Sequence, residues 1–476
     1  MFTGRKEQLN DLAALLRKKT PSLVTCRGRR RIGKSTLIRE FAKKADRFII
    51  IEGLPPRPGL SNHDQLQAFS RQLARQTDLP EVELANWPQA FQLLSSAIHN
   101  EWTVILLDEI SWLGGLDPDF PGHLKMAWDS VFKQHPKLVL VLCGSVSAWI
   151  TKNILNNTGF VGRDSWDVLL DELPPCDCNR FWGKAGDRTS AYEKLAVLSV
   201  TGGVPKYLEE LDPALSADEN IRRLCFQREG FLFREFDQIF NDVFGKRAEG
   251  YKAVLECLAH GSRTVSEIST ALGKERSGHL SEHLEDLVQG GFLSRDRVFD
   301  PRTIRPTRTE KYRLRDNYAR FYLRYVAPRR DAIEKGLLRG ITLDQLPEWD
   351  TVLGLQFENL VVNNVTALSG LLGLAQKPLL AAAPYSQRAT ARKKGCQIDL
   401  LIRTKHSLYV VEIKLRKSIP VSVVDEVREK VLRLPSDRRL SIRTALVYEG
   451  TLDPAIAAEG YFDFLIPFDQ LLKRYG

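Results

Sequence analysis

The sequence has no apolar run long enough to cross a bilayer, and its opening stretch, MFTGRKEQLN, contains no hydrophobic segment of the kind that a signal peptide carries. Low-complexity tracts and repeats are also absent. Its seven cysteines are odd in number and scattered, which argues against a disulfide framework, and the close pair Cys176 and Cys178 lacks partners for a zinc site. These absences predict a cytoplasmic protein with free thiols and no membrane association.

What is present is the composition of a soluble globular protein. Of its 476 residues, 43% are apolar and 27% are charged. That length predicts about three or four domains. The formal net charge of +10 favours an anionic partner, and nucleic acid more than a membrane, because no basic amphipathic helix with a broad apolar face stands out. A merely basic surface is the alternative that charge alone leaves open.

The first motif is a phosphate-binding loop. In CRGRRRIGKST the glycines, Lys34 and Ser35 match G-x-x-x-x-G-K-[ST], with the apolar run SLVTC before them and the helical pattern STLIREFAKKA after them. Backbone N–H groups of such a loop surround phosphates, Lys34 reaches the terminal phosphates of ATP, and Ser35 ligates Mg²⁺. The residues predicted to bind the nucleotide are Gly28, Arg29, Arg30, Arg31, Ile32, Gly33, Lys34, Ser35 and Thr36.

The three consecutive arginines, Arg29 to Arg31, stand where such loops usually carry small or neutral residues. They occupy the variable positions of the motif and leave its backbone cradle intact. We predict that they project outward and contact an anionic partner. The alternative is that these side chains take part in the phosphate-binding cradle itself.

The second motif is a short apolar run, TVILLDEI, that ends in two carboxylates. It is typical of a buried parallel strand, whose carboxyl end would lie beside the phosphate loop. There Asp108 would hold the Mg²⁺ shell, and Glu109 would orient or deprotonate the attacking water. The pair favours hydrolysis over binding alone, and a capped helix start is the alternative.

Further candidates for the reaction follow this strand. The run KLVLVLCGS ends at Ser145, which would sense the terminal phosphate, position water, or simply cap a helix. Arg163 and Arg180 are the candidates for an arginine that reaches the transferred phosphate of the same or a neighbouring subunit. Of these two, we choose Arg163 as the predicted catalytic residue.

The middle of the chain predicts a winged helix. From Tyr251 onward, three short amphipathic helices precede a Gly-Gly turn and a strand. The third helix would bury Leu280, Leu284 and Leu287, with its exposed face or its start near Arg276, Ser277, His279 and His283. This arrangement suits DNA contact and protein docking equally well. The two histidines are interpreted as surface residues because further metal ligands are not evident.

The last motif is GCQIDLLIRTKHSLYVVEIKLRKS, which predicts a β-hairpin. Apolar residues Ile398, Leu400 and Ile402 alternate on its first strand and Tyr409, Val411, Ile413 and Leu415 on its second, so the opposite, polar face would carry Asp399, Glu412 and Lys414. An upstream amphipathic helix carries Glu358. The three carboxylates would bind Mg²⁺ or Mn²⁺, and Lys414 would orient the attacking water. A solvated charge pattern is the alternative.

Two resemblances connect these motifs. FTGRKEQL, GRRRIGKST, ILLDEI, LCGSVSAWI and TGGVPKYL occur in the order in which they are found in AAA-type archaeal and bacterial ATPases that carry a C-terminal domain of formerly unknown function, and the triple arginine is similar to that family's loop. Asp-x(n)-Glu-x-Lys resembles the PD-(D/E)xK nuclease superfamily, although no proline precedes Asp399. The first resemblance implies that Gly202, Gly203 and Pro205 belong to a helical lid over the nucleotide.

These resemblances imply an α/β multidomain chain: a P-loop ATPase core over 1–180, a helical lid over 181–245, a winged helix and connector over 246–335, and a restriction-nuclease-like domain over 336–476. They imply an ATP-hydrolysing, homo-oligomeric enzyme that regulates a metal-dependent nuclease acting on DNA, in defence or mobile-element biology. The alternative is a signalling or scaffold ATPase whose catalytically inactive tail binds a protein partner.

Overall fold

A computed structural model of the chain describes residues 2–145, 147–244, 247–273, 278–389, 394–435, 437 and 439–474. The chain divides into two compact units. Unit 1 comprises Met1–Glu172 with the short segments Gln238–Ala248 and Gln289–Gly291, and unit 2 comprises Leu173–Asp237, Glu249–Val288 and Phe292–Gly476. Among the helices within these described ranges, none is both long enough and apolar enough to span a membrane.

The described residues form helices and strands that we number in chain order. The helices are α1 (Lys6–Leu15), α2 (Lys34–Ala42), α3 (Asn62–Ala74), α4 (Trp87–Ser96), α5 (Ile110–Leu113), α6 (Phe120–Ser130), α7 (Ser147–Ile150), α8 (Pro175–Cys178), α9 (Ala191–Thr201), α10 (Pro205–Glu209), α11 (Ala217–Cys225), α12 (Phe231–Phe244), α13 (Ala248–Leu258), α14 (Val265–Ala271), α15 (Gly278–Gln289), α16 (Asn317–Phe321), α17 (Arg330–Glu334), α18 (Trp349–Asn363), α19 (Val365–Leu371), α20 (Ser422–Arg433), α21 (Pro454–Glu459) and α22 (Phe468–Leu471). The strands are β1 (Ser22–Gly28), β2 (Arg47–Glu52), β3 (Thr103–Asp108), β4 (Leu138–Gly144), β5 (Asp164–Leu170), β6 (Leu293–Phe299), β7 (Pro306–Leu314), β8 (Ala381–Gln387), β9 (Cys396–Arg403), β10 (Ser407–Ile419), β11 (Ser441–Leu452) and β12 (Phe464–Pro467).

Unit 1 is built on a parallel sheet of five strands in the order β2-β3-β4-β1-β5. Every residue of β3 and β4 is buried, as the continuous apolar runs predicted. Helices α1 and α2 pack on one face of the sheet, and α3, α4 and α6 pack on the other. The segments that follow β1, β3 and β4 therefore meet at one edge, the carboxyl edge, where the predicted nucleotide site lies.

The first part of unit 2 is helical. Helix α9 ends at Thr201, and Gly202 follows with φ 56°, a left-handed conformation that glycine adopts without strain. Helix α10 begins at Pro205, whose missing N–H would be unpaired in a first turn in any case. The Gly-Gly-x-Pro segment thus ends one helix and starts the next, as predicted from these residue types.

Helices α13, α14 and α15 precede the antiparallel pair of strands β6 and β7, and we call this segment the helix–hairpin module. Thr264 and Glu267 form a capping box at the start of α14. Leu280, Leu284 and Leu287 are buried, as predicted. The predictions for Arg276 and Ser277 lie outside the described residues. Of the two histidines in α15, His279 is exposed, and the ring of His283 packs on Tyr251 with centroids 4.2 Å apart.

The C-terminal part of unit 2 contains a second sheet of five strands in the order β12-β11-β10-β9-β8. Strands β8, β9 and β10 are antiparallel neighbours, whereas β10, β11 and β12 are parallel. Helix α20 connects β10 to β11 and packs through Val423, Val424 and Val427 on one face of the sheet. Helix α18 packs against β10.

The predicted alternation of the β9–β10 hairpin is only partly right. Ile398 packs with Leu401 and Val410 in the core under α20, and not on one face with Leu400 and Ile402. The reason is a bulge: β9 uses one more residue than β8 between the pairs Leu401–Ala383 and Ile398–Tyr385, which reverses the side-chain direction beside Asp399. The face predicted to be polar also carries buried apolar residues, so Asp399 and Glu412 lie in a covered sheet and not on a solvated one.

Candidate functional site

The phosphate loop joins β1 to α2 through two glycines with positive φ, Gly28 at 144° and Gly33 at 89°. A Cβ at Gly28 would lie 2.5 Å from the Leu170 carbonyl oxygen, so the approach of β5 requires glycine there. Lys34 is buried, and its Nζ donates to the carbonyl oxygens of Gly28 and Arg29, each at 3.1 Å. Its ammonium group therefore lies over the cradle that would receive phosphate.

The three arginines do not all project outward as predicted. The Arg29 side chain is only 4% exposed, and its Nη1 lies 3.5 Å from Glu172 Oε1, a carboxylate just after β5. Arg30 and Arg31 are half-buried. Ile32 belongs to the core under α2, so of its atoms only the backbone is available to a phosphate. Ser35 and Thr36 lie in the first turn of α2, half-buried and exposed respectively, and the nucleotide-binding roles of these residues and of the loop stay predictions.

Three side chains form a chain of hydrogen bonds at the carboxyl edge of the sheet. The Glu109 carboxylate accepts from the Ser145 backbone N–H at 3.0 Å and from the Ser145 hydroxyl at 2.6 Å. Lys34 Nζ lies 3.2 Å from Ser145 Oγ. Asp108 is buried beside them at the end of β3, and its carboxylate accepts the Glu109 N–H at 3.0 Å. The structure thus brings together Lys34, Asp108, Glu109 and Ser145, and the Ser145 hydroxyl contacts both Lys34 and Glu109.

Two further residues belong to this edge. Glu52, at the end of β2, is the register partner of Asp108. Desolvation, and then the charges of Asp108 and Glu109, raises the pKa of Glu52. A Cβ at Gly53 would lie 2.8 Å from both the Glu109 carbonyl oxygen and the Leu113 amide nitrogen. The sequence signal was available, because RFIIIEG is another apolar run that ends in a carboxylate.

The comparisons with known proteins show the class of the N-terminal part of the chain. Residues 2–211 match the family model described as an ATPase domain predominantly from Archaea. This segment is a P-loop ATPase domain. An uncharacterized protein of Methanocaldococcus jannaschii is 25% identical over 364 residues, which are 75% of this chain and 76% of that one.

Solved structures also resemble the chain that contains this ATPase domain. The Walker-type ATPase of Pyrococcus abyssi is 17% identical with a TM-score of 0.49, and the match covers 68% of this chain and 96% of that one. The ORC2 protein of Aeropyrum pernix is 13% identical with a TM-score of 0.40, over 70% of this chain and 94% of that one.

Arg163 lies far from the phosphate loop of its own ATPase domain. It precedes β5, which runs parallel to β1, so it lies at the opposite edge of the sheet, about 20 Å away for seven residues of strand. Its Nε and Nη2 donate to the two Asp129 carboxylate oxygens at 2.9 and 2.8 Å, and this pairing holds the pKa of Asp129 well below its usual range. Of the two predicted roles, only contact with a neighbouring subunit's nucleotide is compatible with this position. Arg180 belongs to unit 2, where its Nε lies 3.9 Å from Asp177 Oδ1.

We expect Gly53→Ala to destabilise the ATPase domain by about 2 kcal/mol, because the new methyl group would collide with backbone atoms that cannot move aside singly. It should also lower ATP turnover, since the clash displaces the backbone of Glu109. Urea denaturation and phosphate release measure the two effects. Gly122→Ala is the matched control, because a Cβ at Gly122 in α6 meets no atom within 4 Å. Equal urea midpoints for the two variants would contradict the close packing of Gly53 against the backbone of Glu109 and Leu113.

The second candidate site lies where β9 and β10 separate. Asp399 Oδ2 accepts the Ile413 backbone N–H at 2.8 Å. The Glu412 side chain is 1% exposed and lies between two ammonium groups, with Lys414 Nζ at 2.8 Å and Lys430 Nζ at 2.6 Å. Burial, and then the charges of Glu412 and Glu358, raises the pKa of Asp399 to about 8. Asp399, Glu412 and Lys414 therefore lie together, and Glu358 of α18 is close enough to interact electrostatically.

Lys430 is a member of this site that the sequence analysis missed. It lies on α20 at positions i+7 and i+3 from Val423 and Val427, which are buried against the sheet. That spacing places Lys430 on the sheet-facing side of the helix. The signal was present in VDEVREKVLRLP, which was interpreted only as a helix covering the sheet.

Three carboxylates of this site are candidate ligands for a metal ion. Glu358, Asp399 and Glu412 offer only carboxylate oxygens, the ligands that Mg²⁺ and Mn²⁺ prefer. The pKa of Glu358 is raised by burial, against the lowering effect of Arg313 and Arg320. Within the described ranges, no three His, Cys, Asp or Glu side chains are arranged to hold a metal ion. The donor chemistry fits a hard cation, and in this arrangement the two lysines compensate the charge of Glu412.

The raised pKa of Asp399 predicts a pH dependence of stability. In the unfolded chain the carboxyl ionises near pH 4, whereas in the fold it stays protonated to about pH 8, so the folded state binds the extra proton between these values. The free energy of unfolding should therefore fall as pH rises through this window, by at most about 1.4 kcal/mol per pH unit.

Asp399→Asn removes this titration and can still accept the Ile413 N–H. Its stability relative to the unsubstituted protein should therefore be greater at pH 8 than at pH 5, measured by urea denaturation in a chelator. A difference between the two proteins that does not change with pH would contradict a protonated Asp399.

Proposed function

We propose that the chain is an ATP-hydrolysing switch whose nucleotide state controls a metal-dependent nuclease domain that acts on DNA. The observation that carries the proposal is the convergence of Asp399, Glu412 and Lys414 beside Glu358, in the same chain as the P-loop ATPase domain. Neither part alone would support it, because a fold does not determine an activity.

In the ATPase domain, Lys34 would neutralise the terminal phosphates, and the loop N–H groups would orient them. Ser35 and Asp108 would hold Mg²⁺, which would supply further positive charge at the phosphates. Glu109 would orient or deprotonate water, and Ser145 holds that carboxylate through two hydrogen bonds. These hydrogen bonds would hold the Glu109 carboxylate either toward the attacking water or away from it. A change in them would therefore regulate ATP turnover.

The topology of the second sheet supports the nuclease assignment. Three antiparallel strands, β8, β9 and β10, are followed by the helical crossover α20 and the parallel strand β11. Asp399 and Glu412 lie on β9 and β10, at the point where these two strands separate. A divalent ion held by Glu358, Asp399 and Glu412 would stabilise the negative charge that develops on the phosphate and on the departing sugar oxygen. Lys414 would hold the attacking water, and Lys430 would keep the Glu412 carboxylate in place. A bulge beside Asp399 fits a functional strand, since bulges are over-represented next to active sites.

Action on DNA is supported by the net charge of +10 and by the helix–hairpin module, whose three helices and antiparallel strands have the element order of a winged helix. We keep the boundaries 1–180, 181–245, 246–335 and 336–476 as the proposed domains. Arg163 would act in a homo-oligomer by reaching a neighbouring nucleotide. A cytoplasmic role in defence or against mobile elements is the biology proposed for this combination.

The proposal is tested by nicking of supercoiled plasmid DNA with Mg²⁺ or Mn²⁺, with and without ATP. Metal-dependent nicking that changes with nucleotide supports it. Intact DNA across single-stranded, duplex and branched substrates in both metals contradicts it. That result would favour a second function, a scaffold ATPase whose tail binds a protein, in which the Glu412–Lys414–Lys430 ion pairs only stabilise the fold.

A further inference from the structure

A cleft of about 670 Å³ opens over Asp399 and Glu412. Its walls come from two segments of unit 2 that are distant in sequence, the helix–hairpin module and the C-terminal sheet with α20. The lining residues from the module are Glu267, Thr309 and Lys311. Those from the sheet and α20 are Ser386, Gln387, Arg388, Gly395, Cys396, Gln397, Asp399, Glu412, Lys414, Lys430 and Arg433. The module is therefore one wall of the carboxylate site.

Positive charge prevails in this cleft. Its lining contains five cationic side chains and three carboxylates. Lys414 and Lys430 are engaged with Glu412, and Arg433 Nη2 lies 2.6 Å from Glu429. The remaining cations, Lys311 and Arg388, make no ion pair with any residue in the described part of the chain, so their charge is available to a ligand.

Strand β7 directs Lys311 into the cleft. Alternate residues of a strand point to the same face, so Thr309 and Lys311 line the cleft together, whereas Arg308 points to the other face and is exposed. The residue opposite Lys311 is Asp296, but its carboxylate already accepts from Arg313 Nε at 2.9 Å and from the Ser294 hydroxyl at 2.6 Å.

Glu267 gives independent evidence that Lys311 faces the cleft. Hydrogen bonds from Thr264 lower the pKa of Glu267, and the charges of Lys311 and Arg388 lower it further. These two cations thus act on the same carboxylate from β7 and from the end of β8. Both cations therefore lie on the lining of the cleft that also holds Glu412.

We propose that β7 is part of the substrate site: Lys311 and Thr309 contact phosphates of a nucleic-acid strand that lies across Asp399 and Glu412. An ammonium group and a hydroxyl are ordinary donors to phosphate oxygens, and such contacts position a strand without reading its sequence. The hairpin then serves as a wall of the nuclease-like cleft and not as a wing that reads a separate groove. This inference rests on the proposed action on nucleic acid.

The test is fluorescence anisotropy of labelled single-stranded and duplex oligonucleotides with the full chain in EDTA, where cleavage is excluded. Lys311→Gln should weaken binding about 5- to 10-fold at low salt and reduce the slope of log affinity against log salt by about one. Thr309→Val should produce a smaller loss. Arg308→Gln, on the opposite face of the same strand, should remain within about twofold of the unsubstituted protein, because its charge lies outside the cleft. ATP turnover and melting temperature should be unchanged in all three variants.

The outcomes separate this inference from the function on which it rests. Unchanged affinity in Lys311→Gln, or an equal loss in Arg308→Gln, would overturn the role of the cleft wall and leave nucleic-acid action standing. If the unsubstituted protein bound none of the oligonucleotides, both the inference and the proposed function would fail.

Discussion

Glu109→Gln is expected to lower ATP turnover about 10²- to 10⁴-fold and to change nucleotide affinity by no more than a few-fold. The amide is the same size as the carboxylate and can still accept a hydrogen bond from Ser145, so the edge of the sheet should keep its geometry. What it loses is the negative charge that orients and activates water. Phosphate release measures turnover, and the binding of a fluorescent ATP analogue measures affinity.

Lys34→Ala, in contrast, should weaken nucleotide binding itself. We expect the nucleotide affinity to fall about 30- to 1,000-fold, equivalent to about 2–4 kcal/mol, because a buried charge-assisted contact to phosphate is removed. Glu40→Gln and Lys43→Ala are matched controls, since this exposed ion pair at the end of α2 has Nζ and Oε2 2.6 Å apart and lies outside the site.

Near-normal ATP turnover in Glu109→Gln would contradict the water-activating role of Glu109 and would make Glu52 the next candidate for that role.

The nucleotide edge was predictable because its signals are local. Four apolar runs each end in the residue that matters, and parallel strands bring those ends together whatever the loops between them contain. Arg29 was not predictable in this way. Its partner Glu172 lies 143 positions away, at the end of a strand whose place beside β1 depends on the whole sheet. The sequence pattern located the loop, but only the packing of β5 determines which arginine is buried.

The C-terminal site shows a different limit on what the sequence pattern can predict. The hairpin alternation correctly placed Asp399 and Glu412 near each other, because residues across a two-stranded pair are set by the turn between them. The bulge in β9 and the arrival of Lys430 both depend on elements that the alternation does not describe, β8 and α20. Covering the sheet with helices also buried the predicted polar face. Burial is what raises the pKa of Asp399, so the property that most distinguishes this site from a solvated strand comes from packing.

Asp399→Asn and Glu412→Gln are each expected to abolish metal-dependent DNA cleavage, by at least about 10³-fold, while leaving ATP turnover within about twofold. The carboxylates offset the cost of dehydrating a hard cation by direct ligation, which a neutral amide does poorly. ATP turnover should survive because the two sites lie in separate compact units. Plasmid nicking and phosphate release, measured on the same preparations, give the comparison.

Glu426→Gln is the control that makes this result specific. Glu426 also contacts Lys414, at 3.2 Å, but its side chain is 42% exposed and does not line the cleft over Asp399, so its loss should leave cleavage within a few-fold. Lys414→Gln should retain metal binding and slow cleavage, because the lysine acts on water or on developing phosphate charge rather than on the ion. If purified Asp399→Asn protein still cut DNA at the normal rate, the carboxylates would be structural, and the tail would be better explained as a docking module held together by the lysine pairs on Glu412.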